Sequence, residues 1–373
     1  MSIEAAEASR AEEPDRLEGF SAPREVDRLF GHDAALAELN EAFRSGRLHH
    51  AWLLVGPEGT GKATLAYAFA RTVLAAAHQG AGARSPSASQ DGATFRKVAS
   101  LSHPNLLVIR RSWNEKSKRF SQVIGVEEVR RLRAFLGNTA GATGFRVVIV
   151  DRADELNQNA VNALLKALEE PPAETLFLLI SAAEGRLPVT IRSRCRTLRI
   201  NALGPDDLAA AVRAALARDG HEVEEGALRL ALALSDGSVR CALDLATGEG
   251  IISYREILDL LNGLPELDGV RLQRLAEKLS ASGDTERLEL FFSLLLGLLE
   301  RLIRFAATGE GGTEEERALG RKLLGGANLA AWAELWDAIG HAKEEAFSLN
   351  LDRNLLLLET FVRLKHLARE GMR

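Results

Sequence analysis

The sequence predicts an α/β fold with a five-stranded parallel sheet covered by helices on both faces, followed by regions that contain only helices. Apolar runs of strand length alternate with helical patterns as far as residue 200, and such alternation favours a parallel sheet buried on both faces. Beyond Gly204 the strand signals stop, while apolar residues continue at helical spacing. Leu and Ala dominate and aromatic residues make up only 5% of the chain, which favours helices over an all-β design.

Five segments have the length and apolar character of buried strands. They are Ala51–Val55, Leu106–Ile109, Arg146–Val150, Leu176–Ser181 and Thr197–Ile200. Helical patterns lie between them at Ala63–Ala77, Val126–Gly137, Asn157–Glu170 and Leu187–Arg194. The stretch Gly80–Gly92 is rich in Gly, Ser and Ala and is predicted to be a loop.

The length and the composition shifts predict several domains. A chain of 373 residues exceeds the size at which one hydrophobic core stops growing. Residues 1–22 are charged and lack apolar periodicity, which predicts a disordered tail. The α/β pattern fills 23–203, three short helical patterns at 204–248 are typical of a small lid, and 249–373 is predicted to be an all-helical domain.

Charge, cysteine content and hydropathy restrict the class of protein. A formal net charge of −5 argues against a protein that coats nucleic acid on its own, although DNA contact within an assembly stays open. The two cysteines, Cys195 and Cys241, lie far apart and form no CxxC pair, so we expect a reducing cytoplasm and no cysteine-rich metal site. The most apolar stretch, Phe291–Leu299, is too short to span a bilayer, so no membrane segment is expected.

The strongest local signal is Gly56–Ala63, which has the sequence GPEGTGKA between a predicted strand and a predicted helix. In this context Gly56, Gly59 and Gly61 allow backbone N–H groups to surround an anion, and Lys62 neutralises phosphate charge at the helix N-terminus. The segment is therefore predicted to be a phosphate-binding loop. A Gly-rich turn without chemical use is the alternative.

The residue after Lys62 departs from the phosphate-loop pattern. A Ser or Thr hydroxyl is expected there to bind Mg²⁺, but the chain has Ala63. Thr64 comes one residue late and is turned by about 100° on a helix. The loop is therefore predicted to be degenerate.

A second signal is the apolar strand that ends in Asp151. A carboxylate at this place can hold Mg²⁺ beside a phosphate loop, whereas a helix cap or a loop salt bridge is the alternative. In active ATPases of this general type a Glu follows and orients the attacking water, but here Arg152 follows. With Ala63, two catalytic parts are impaired, and we expect no hydrolysis at this site.

Three further segments resemble signature motifs of the AAA+ clamp-loader subunits of bacterial DNA polymerase III. Asn157–Pro172 has the sequence NQNAVNALLKALEEPP, Leu187–Cys195 contains the Ser-Arg-Cys motif, and Gly237–Arg240 is similar to the second sensor motif. The resemblance covers residues 24–248 and is fainter through the C-terminal helices. It implies an AAA+ α/β domain, a helical lid and a C-terminal helical collar.

Within this family, the motor subunits keep Lys-Ser/Thr and Asp-Glu pairs, while one non-motor subunit keeps Ser-Arg-Cys and often has a degraded ATP site. The chain has Ala63 and Arg152 together with an intact Arg194, so it resembles the non-motor type. The resemblance implies that Arg194 is an arginine finger, which would stabilise charge on ATP held by a neighbouring motor subunit. On the residue alone, a solvated surface charge is the alternative.

The resemblance also implies partners. They are the motor (tau/gamma) and delta subunits of a five-membered ring, the sliding clamp, and primed DNA contacted through the assembled ring. The basic residues Arg110, Arg111, Lys116, Lys118 and Arg119 could face DNA or a partner, but a solvated loop is the simpler interpretation.

For the chain itself no cofactor is expected to be required. ATP or ADP with weakly held Mg²⁺ could still occupy the degenerate site, formed by Gly56, Gly59, Gly61, Lys62, Thr64, Asp151 and Arg240. Arg240 would there contact nucleotide, or else only link the lid to the base by a salt bridge, and Ser181 takes the place of the first sensor. Many relatives carry a four-cysteine zinc module, but residues 76–102 contain no Cys, so we expect no zinc and a flexible loop.

Two other functions stay open from the sequence. The chain could be an active AAA+ ATPase motor, in which Thr64 or a water replaces the missing hydroxyl. It could also be another AAA+ factor in DNA repair or remodelling, which would form a ring of identical subunits.

Overall fold

The structure is a computed structural model that describes residues 13–76, 92–114, 119–137, 144–248, 250–281, 285–326, 328–348 and 351–371. The chain divides into two compact units. The first comprises Met1–Glu222 and Ser235–Leu243, and the second comprises Val223–Leu234 and Asp244–Arg373.

The first unit is built on a five-stranded parallel sheet. Its strands are β1 (Ala51–Val55), β2 (Leu106–Ile109), β5 (Arg146–Val150), β6 (Thr175–Ser181) and β7 (Arg196–Arg199), in the order β2-β5-β6-β1-β7. All four neighbouring pairs are parallel. A separate two-stranded hairpin pairs β3 (Trp113–Asn114) with β4 (Arg119–Phe120).

Helices cover both faces of this sheet. Those of the first unit are α1 (Asp33–Arg44), α2 (Lys62–Ala76), α3 (Gly92–Ala99), α4 (Val126–Gly137), α5 (Gln158–Glu169), α6 (Val189–Arg192) and α7 (Pro205–Asp219). Alternate residues of β1 enter two separate cores, because side chains of a strand point to opposite faces. Trp52 and Leu54 pack with helices α1 and α2, whereas Leu53 packs with α4 and α5. The predicted five-stranded parallel sheet with helices on both faces is confirmed.

The remaining helices are α8 (Glu225–Leu234), α9 (Val239–Thr247), α10 (Gly250–Asn262), α11 (Gly269–Ala281), α12 (Thr285–Thr308), α13 (Glu314–Leu324), α14 (Leu329–Ser348) and α15 (Arg353–Gly371). They belong to the second unit, except that α9 begins in the first. The segment predicted as a separate lid, 204–248, is therefore divided, because α7 belongs to the first unit and α8 to the second. No helix in the described ranges is long and apolar enough to cross a bilayer.

Two predicted irregular regions are partly ordered. Gly92–Ala99 forms helix α3, with Thr94 and Val98 buried, although residues 76–102 were expected to be a flexible loop. The four-residue spacing of these two side chains places them on one helix face, which explains the helix. The rest of the predicted loop, residues 77–91, lies outside the described residues.

The end of the predicted disordered tail is packed against the first unit. Phe20 is 3% exposed and its ring lies 4.4 Å from that of His221. The backbone N–H of Ser21 donates to Asp219 over 3.2 Å. Residues 13–22 are therefore held by contacts distant in sequence, and residues 1–12 lie outside the described residues.

The second unit has one wholly buried helix face and one exposed apolar pair. The apolar face of α12 is buried, with exposures of 1% or less at Leu288, Phe291, Phe292, Leu295, Leu298, Leu299 and Leu302. On α15, in contrast, the apolar residues Leu355 and Val362 are 60% and 59% exposed. These two residues are seven apart and share one helix face.

A buried polar cluster links three helices of the second unit. Glu316 accepts hydrogen bonds from the Tyr254 hydroxyl over 2.7 Å and from Arg301 Nε over 2.9 Å. The side chains of Arg301 and Glu316 are 8% and 2% exposed. Because removing one member of a buried ion pair leaves an uncompensated charge, this cluster should be sensitive to substitution.

We expect Arg301→Met to lower the free energy of unfolding by about 3 kcal/mol, because Glu316 would lose its cation while staying buried. Arg304→Met is the matched control, since Arg304 pairs with Glu300 on the surface and such pairs contribute about 0.5 kcal/mol. Urea denaturation followed by far-UV circular dichroism measures both. Equal effects of the two substitutions would contradict the assignment.

Candidate functional site

The loop Gly56–Ala63 joins β1 to α2 and lines a cavity in the first unit. Gly59 and Gly61 have φ angles of +72° and +95°, a region that favours glycine. A Cβ at Gly56 would overlap the carbonyl oxygen of Ile200. The backbone of the loop therefore requires glycine at all three predicted positions.

Lys62 is buried in the loop. Its Nζ donates to the carbonyl oxygen of Gly56 over 2.6 Å and also to that of Pro57. Burial lowers the pKa of Lys62, while Glu58 and Asp151 oppose that shift. A glycine cradle, a helix N-terminus and a lysine together fit a phosphate group.

Thr64 is a partial substitute for the hydroxyl that is missing at Ala63. Ala63 lines the cavity without any polar side-chain atom, and half-buried Thr64 lines the same cavity. The predicted turn of Thr64 on the helix therefore does not remove it from the cavity wall. The geometry fits an anion better than it fits a bound Mg²⁺, because the cation ligand expected after Lys62 is absent at that position.

Asp151 follows β5 and is 7% exposed. Its backbone N–H donates to the carbonyl oxygen of Ile109 over 2.9 Å. Burial, reinforced by the neighbouring Asp15 carboxylate, raises the pKa of Asp151 to about 7. The cavity thus contains a carboxyl group that is costly to ionise.

Arg152, where an active site would have a glutamate, is fixed by two carboxylates. Its guanidinium donates to Glu58 over 2.7 Å and to Glu155 over 2.6 Å. Burial would lower the pKa of Arg152, but Glu58 and Glu155 raise it. Residue 152 is therefore a positively charged guanidinium held by two carboxylates. It cannot accept the hydrogen bond that orients an attacking water.

The start of α9 docks onto the loop. The backbone N–H of Val239 donates to the carbonyl oxygen of Gly59 over 3.0 Å. Arg240 Nη1 donates to the backbone carbonyl of Asp15 over 3.3 Å. Ser181, which lines the cavity, donates to the carbonyl of Ala183 over 3.0 Å. Arg240 thus lies at the predicted site, where its guanidinium donates to a backbone oxygen of the N-terminal segment.

Arg194 lies at the opposite end of the strands, where β7 begins. It precedes β7, whose Arg196 is in register with Trp52, whereas the phosphate loop follows Val55 at the far end of β1. At roughly 3.3 Å per residue, β1 separates these two edges by about 13 Å. Arg194 is therefore remote from the cavity that contains Lys62.

The Arg194 side chain is held at this edge but remains 35% exposed. Its guanidinium pairs with Glu169 over 2.7 Å and donates to the Thr190 carbonyl over 2.8 Å. The adjacent Cys195 is half-buried, and its loss of solvation raises the pKa of its thiol to about 12, so the thiol is unreactive near neutral pH.

The predicted basic cluster does not form one solvated patch. Arg110 pairs with Glu13 and Asp15 over 3.2 and 3.1 Å. Arg111 pairs with Glu155 over 3.0 Å. Lys116 and Lys118 lie outside the described residues. Arg110 and Arg111, which follow β2, are therefore engaged in ion pairs within the chain.

Two residues of the site, Glu58 and Asp15, were not predicted from the sequence. Glu58 lies inside the phosphate loop, at a position where the motif accepts any residue, so its pairing with Arg152 had no sequence signal. Asp15 lies in a segment whose composition is that of a disordered tail. Only the fold brings it into the cavity.

Comparisons with known proteins show that the chain is similar to subunits of DNA polymerase III. Residues 31–204 match the protein family described as DNA polymerase III, delta subunit. A DNA polymerase III delta-prime subunit from Pseudomonas aeruginosa is 34% identical over 259 residues, which are 69% of this chain and 73% of that protein. The delta-prime subunit of Escherichia coli is 29% identical over 337 residues, which are 90% of this chain and 94% of that protein.

The chain is also similar to another subunit of the same polymerase. The DNA polymerase III gamma subunit of Buchnera aphidicola (from Schizaphis graminum) is 29% identical over 228 residues, or 60% of this chain. The chain spans only 58% of that subunit's length.

We expect the stability of the nucleotide-free chain to depend on pH through Asp151. Its pKa is about 7 in the folded chain and about 3.9 when unfolded, so the folded state binds more protons between these values. Stability from this group is therefore present below about pH 4 and lost as the pH rises to 7. Asp151→Asn should then stabilise the chain by about 3 kcal/mol more at pH 8 than at pH 5.

Urea unfolding at pH 5, 6.5 and 8 measures this difference. Asp206→Asn, at an exposed carboxyl of the first unit, is the control. An equal effect of Asp151→Asn at all three pH values would contradict the raised pKa.

Proposed function

Since the chain belongs to the delta-prime family of DNA polymerase III clamp-loader subunits, we propose that it supplies Arg194 as an arginine finger to ATP held by a neighbouring motor subunit. In this role it would assist loading of the sliding clamp onto primed DNA in the cytoplasm. The observation that carries the proposal is the separation of Arg194 from the chain's own phosphate loop by the width of the sheet.

The position of Arg194 favours action on another subunit. Its guanidinium is partly exposed, and Val189, five residues earlier on α6, is 67% exposed. An arginine can contact phosphate oxygens through two parallel hydrogen bonds, and it stays charged at any physiological pH. A partly exposed arginine and an exposed apolar side chain in one short segment suit a subunit contact that also reaches a bound nucleotide.

The chain's own cavity favours a subunit without intrinsic hydrolysis. Ala63 provides no hydroxyl for Mg²⁺, and Arg152 is pinned by Glu58 and Glu155 where an acidic residue would orient water. Both faults remove transition-state functions while leaving the glycine cradle and Lys62 in place. Nucleotide binding and nucleotide hydrolysis are therefore separable in this proposal.

The proposed partners are the tau/gamma motor subunits and the delta subunit, together with the clamp and primed DNA. DNA contact would be shared with the ring and directed mainly to the phosphate backbone. The exposed pair Leu355 and Val362 on α15 supports a collar in which the second unit packs against other subunits.

One observation favours a second candidate, an ATPase that turns over its own nucleotide. Thr64 lines the cavity, so its hydroxyl is available to a cation held there. Such an enzyme would depend on Lys62, whereas a finger subunit would depend on Arg194.

The test is steady-state ATP hydrolysis by the clamp loader reassembled with its motor and delta subunits, clamp and primed DNA. We expect Arg194→Ala to lower turnover by roughly tenfold or more, because arginine fingers stabilise transition-state charge. Arg194→Lys should rescue little, since a lysine lacks the planar fork. Lys62→Ala should leave turnover nearly unchanged.

Arg199→Ala is the matched control, because Arg199 is an exposed arginine on β7 that pairs only weakly, with Glu184 over 3.0 Å. Gel filtration verifies that each variant still enters the complex. Loss of activity in Lys62→Ala, combined with ATP hydrolysis by the isolated chain, would establish the motor instead.

A further inference from the structure

We propose that residues 13–20, called here the N-terminal strap, occupy the chain's own nucleotide cavity and compete with ADP or ATP for it through Asp15. This inference concerns the chain's own cavity and goes beyond the proposed role of Arg194, which needs no nucleotide there. The anchoring of the strap, its position in the cavity and its charge support this inference.

The strap is anchored at both ends. At its C-terminal end the ring of Phe20 packs on His221, and His221 Nε2 lies 2.9 Å from the carbonyl oxygen of Gly19. At the N-terminal end Glu13 pairs with Arg24 and with Arg110, the latter over 3.2 Å. These contacts come from elements remote in sequence, so the strap has a defined path across the first unit.

Between the anchors the strap lies along the nucleotide cavity. Pro14, Asp15 and Leu17 line the same cavity as Lys62 and Asp151. The backbone carbonyl of Asp15 accepts from Arg240, as described above. A ligand that used Arg240 and the phosphate loop together would have to replace this contact.

The chemistry of Asp15 opposes a phosphate ligand. Its side chain is 6% exposed, and Oδ1 accepts from Arg110 over 3.1 Å. Oδ2 is buried and has no hydrogen-bond partner in the described parts of the chain. Asp15 also lies close enough to raise the pKa of Asp151. A polyphosphate would thus meet two carboxyl groups, and like charges in a buried site repel strongly.

A cation is the other ligand that two carboxylates could attract. Among the described residues, no group of three or more His, Cys, Asp or Glu side chains could hold a metal ion. Mg²⁺ is commonly held by one or two carboxylates together with waters and substrate phosphates. Here, however, Asp15 Oδ1 already accepts from Arg110, and Ala63 provides no hydroxyl. The observations therefore favour exclusion of an anion over binding of a metal.

The experiment measures ADP binding to the full chain by isothermal titration calorimetry, with and without Mg²⁺. Asp15→Asn removes the charge but keeps the shape of the side chain, and we expect it to bind ADP at least about tenfold more tightly than the wild type. Glu18→Gln is the matched control, because Glu18 is an exposed carboxylate of the same strap. It should leave the affinity unchanged.

Two further measurements locate the effect. Adding Lys62→Ala to Asp15→Asn should abolish the gain, because Lys62 lies in the same cavity. In hydrogen–deuterium exchange, saturating ADP should increase exchange in residues 13–22 of the Asp15→Asn chain, since nucleotide would displace the strap. Thermal melting verifies that each variant is folded.

Three outcomes would overturn the proposal. They are equal affinity in Asp15→Asn and wild type, absence of binding to both at millimolar ADP, and weaker Mg²⁺-dependent binding in Asp15→Asn with protection of the strap. The last outcome would make Asp15 a cation ligand. None of them affects the arginine-finger proposal, which is decided by the effects of Arg194→Ala and Lys62→Ala on turnover of the assembled complex.

Discussion

The parallel sheet imposes the constraint on which the rest of the first unit depends. In a parallel sheet every strand ends at the same edge, so the loop after β1 and the residue after β5 must meet there. Segments that precede strands must gather at the opposite edge, where Glu169 and Arg194 pair. Strand direction alone therefore places the phosphate loop and Arg194 at opposite ends of the strands, so Arg194 lies far from the chain's own cavity.

At the phosphate-loop edge the balance of charge departs from that of a hydrolytic site. Asp15 and Asp151 are buried close together, and two glutamates bind Arg152. The basic side chains Lys62, Arg110 and Arg240 each already have an oxygen partner within the chain. A phosphate would have to compete for these cations, because the chain itself already supplies them with oxygen acceptors.

The parts of the structure that were predictable depend on local patterns. Buried strands such as Ala51–Val55 carry unbroken apolar runs, and the loop Gly56–Ala63 needs glycine for its backbone angles. The strap was not predictable, because its stability comes from Arg110, Asp219 and His221, which lie 95 to 202 residues away. Polar segments held by distant ion pairs have the composition of disordered tails, since no apolar periodicity marks them.

The same limit applies to the choice of which helix face is buried. On helix α15 the apolar residues Leu356, Leu357, Phe361 and Leu364 are buried, whereas Leu355 and Val362 are exposed. Both sets have helical spacing, so periodicity identifies the helix but does not decide which of two apolar stripes faces the core. An apolar stripe that remains exposed after the core is complete is information that only the folded chain can provide.

The contact between Glu169 and Arg194 connects the fold with the proposed function. Both side chains are partly exposed, at 48% and 35%, and exposed ion pairs stabilise proteins by about 0–1 kcal/mol. Glu169 can therefore orient the guanidinium without holding it strongly. A phosphate group on a neighbouring subunit, in a site from which water is excluded, would bind the same guanidinium more strongly than Glu169 does. An arginine that is oriented but weakly held can transfer to such a ligand at little cost in free energy, and that property suits a finger that must engage and release in each cycle.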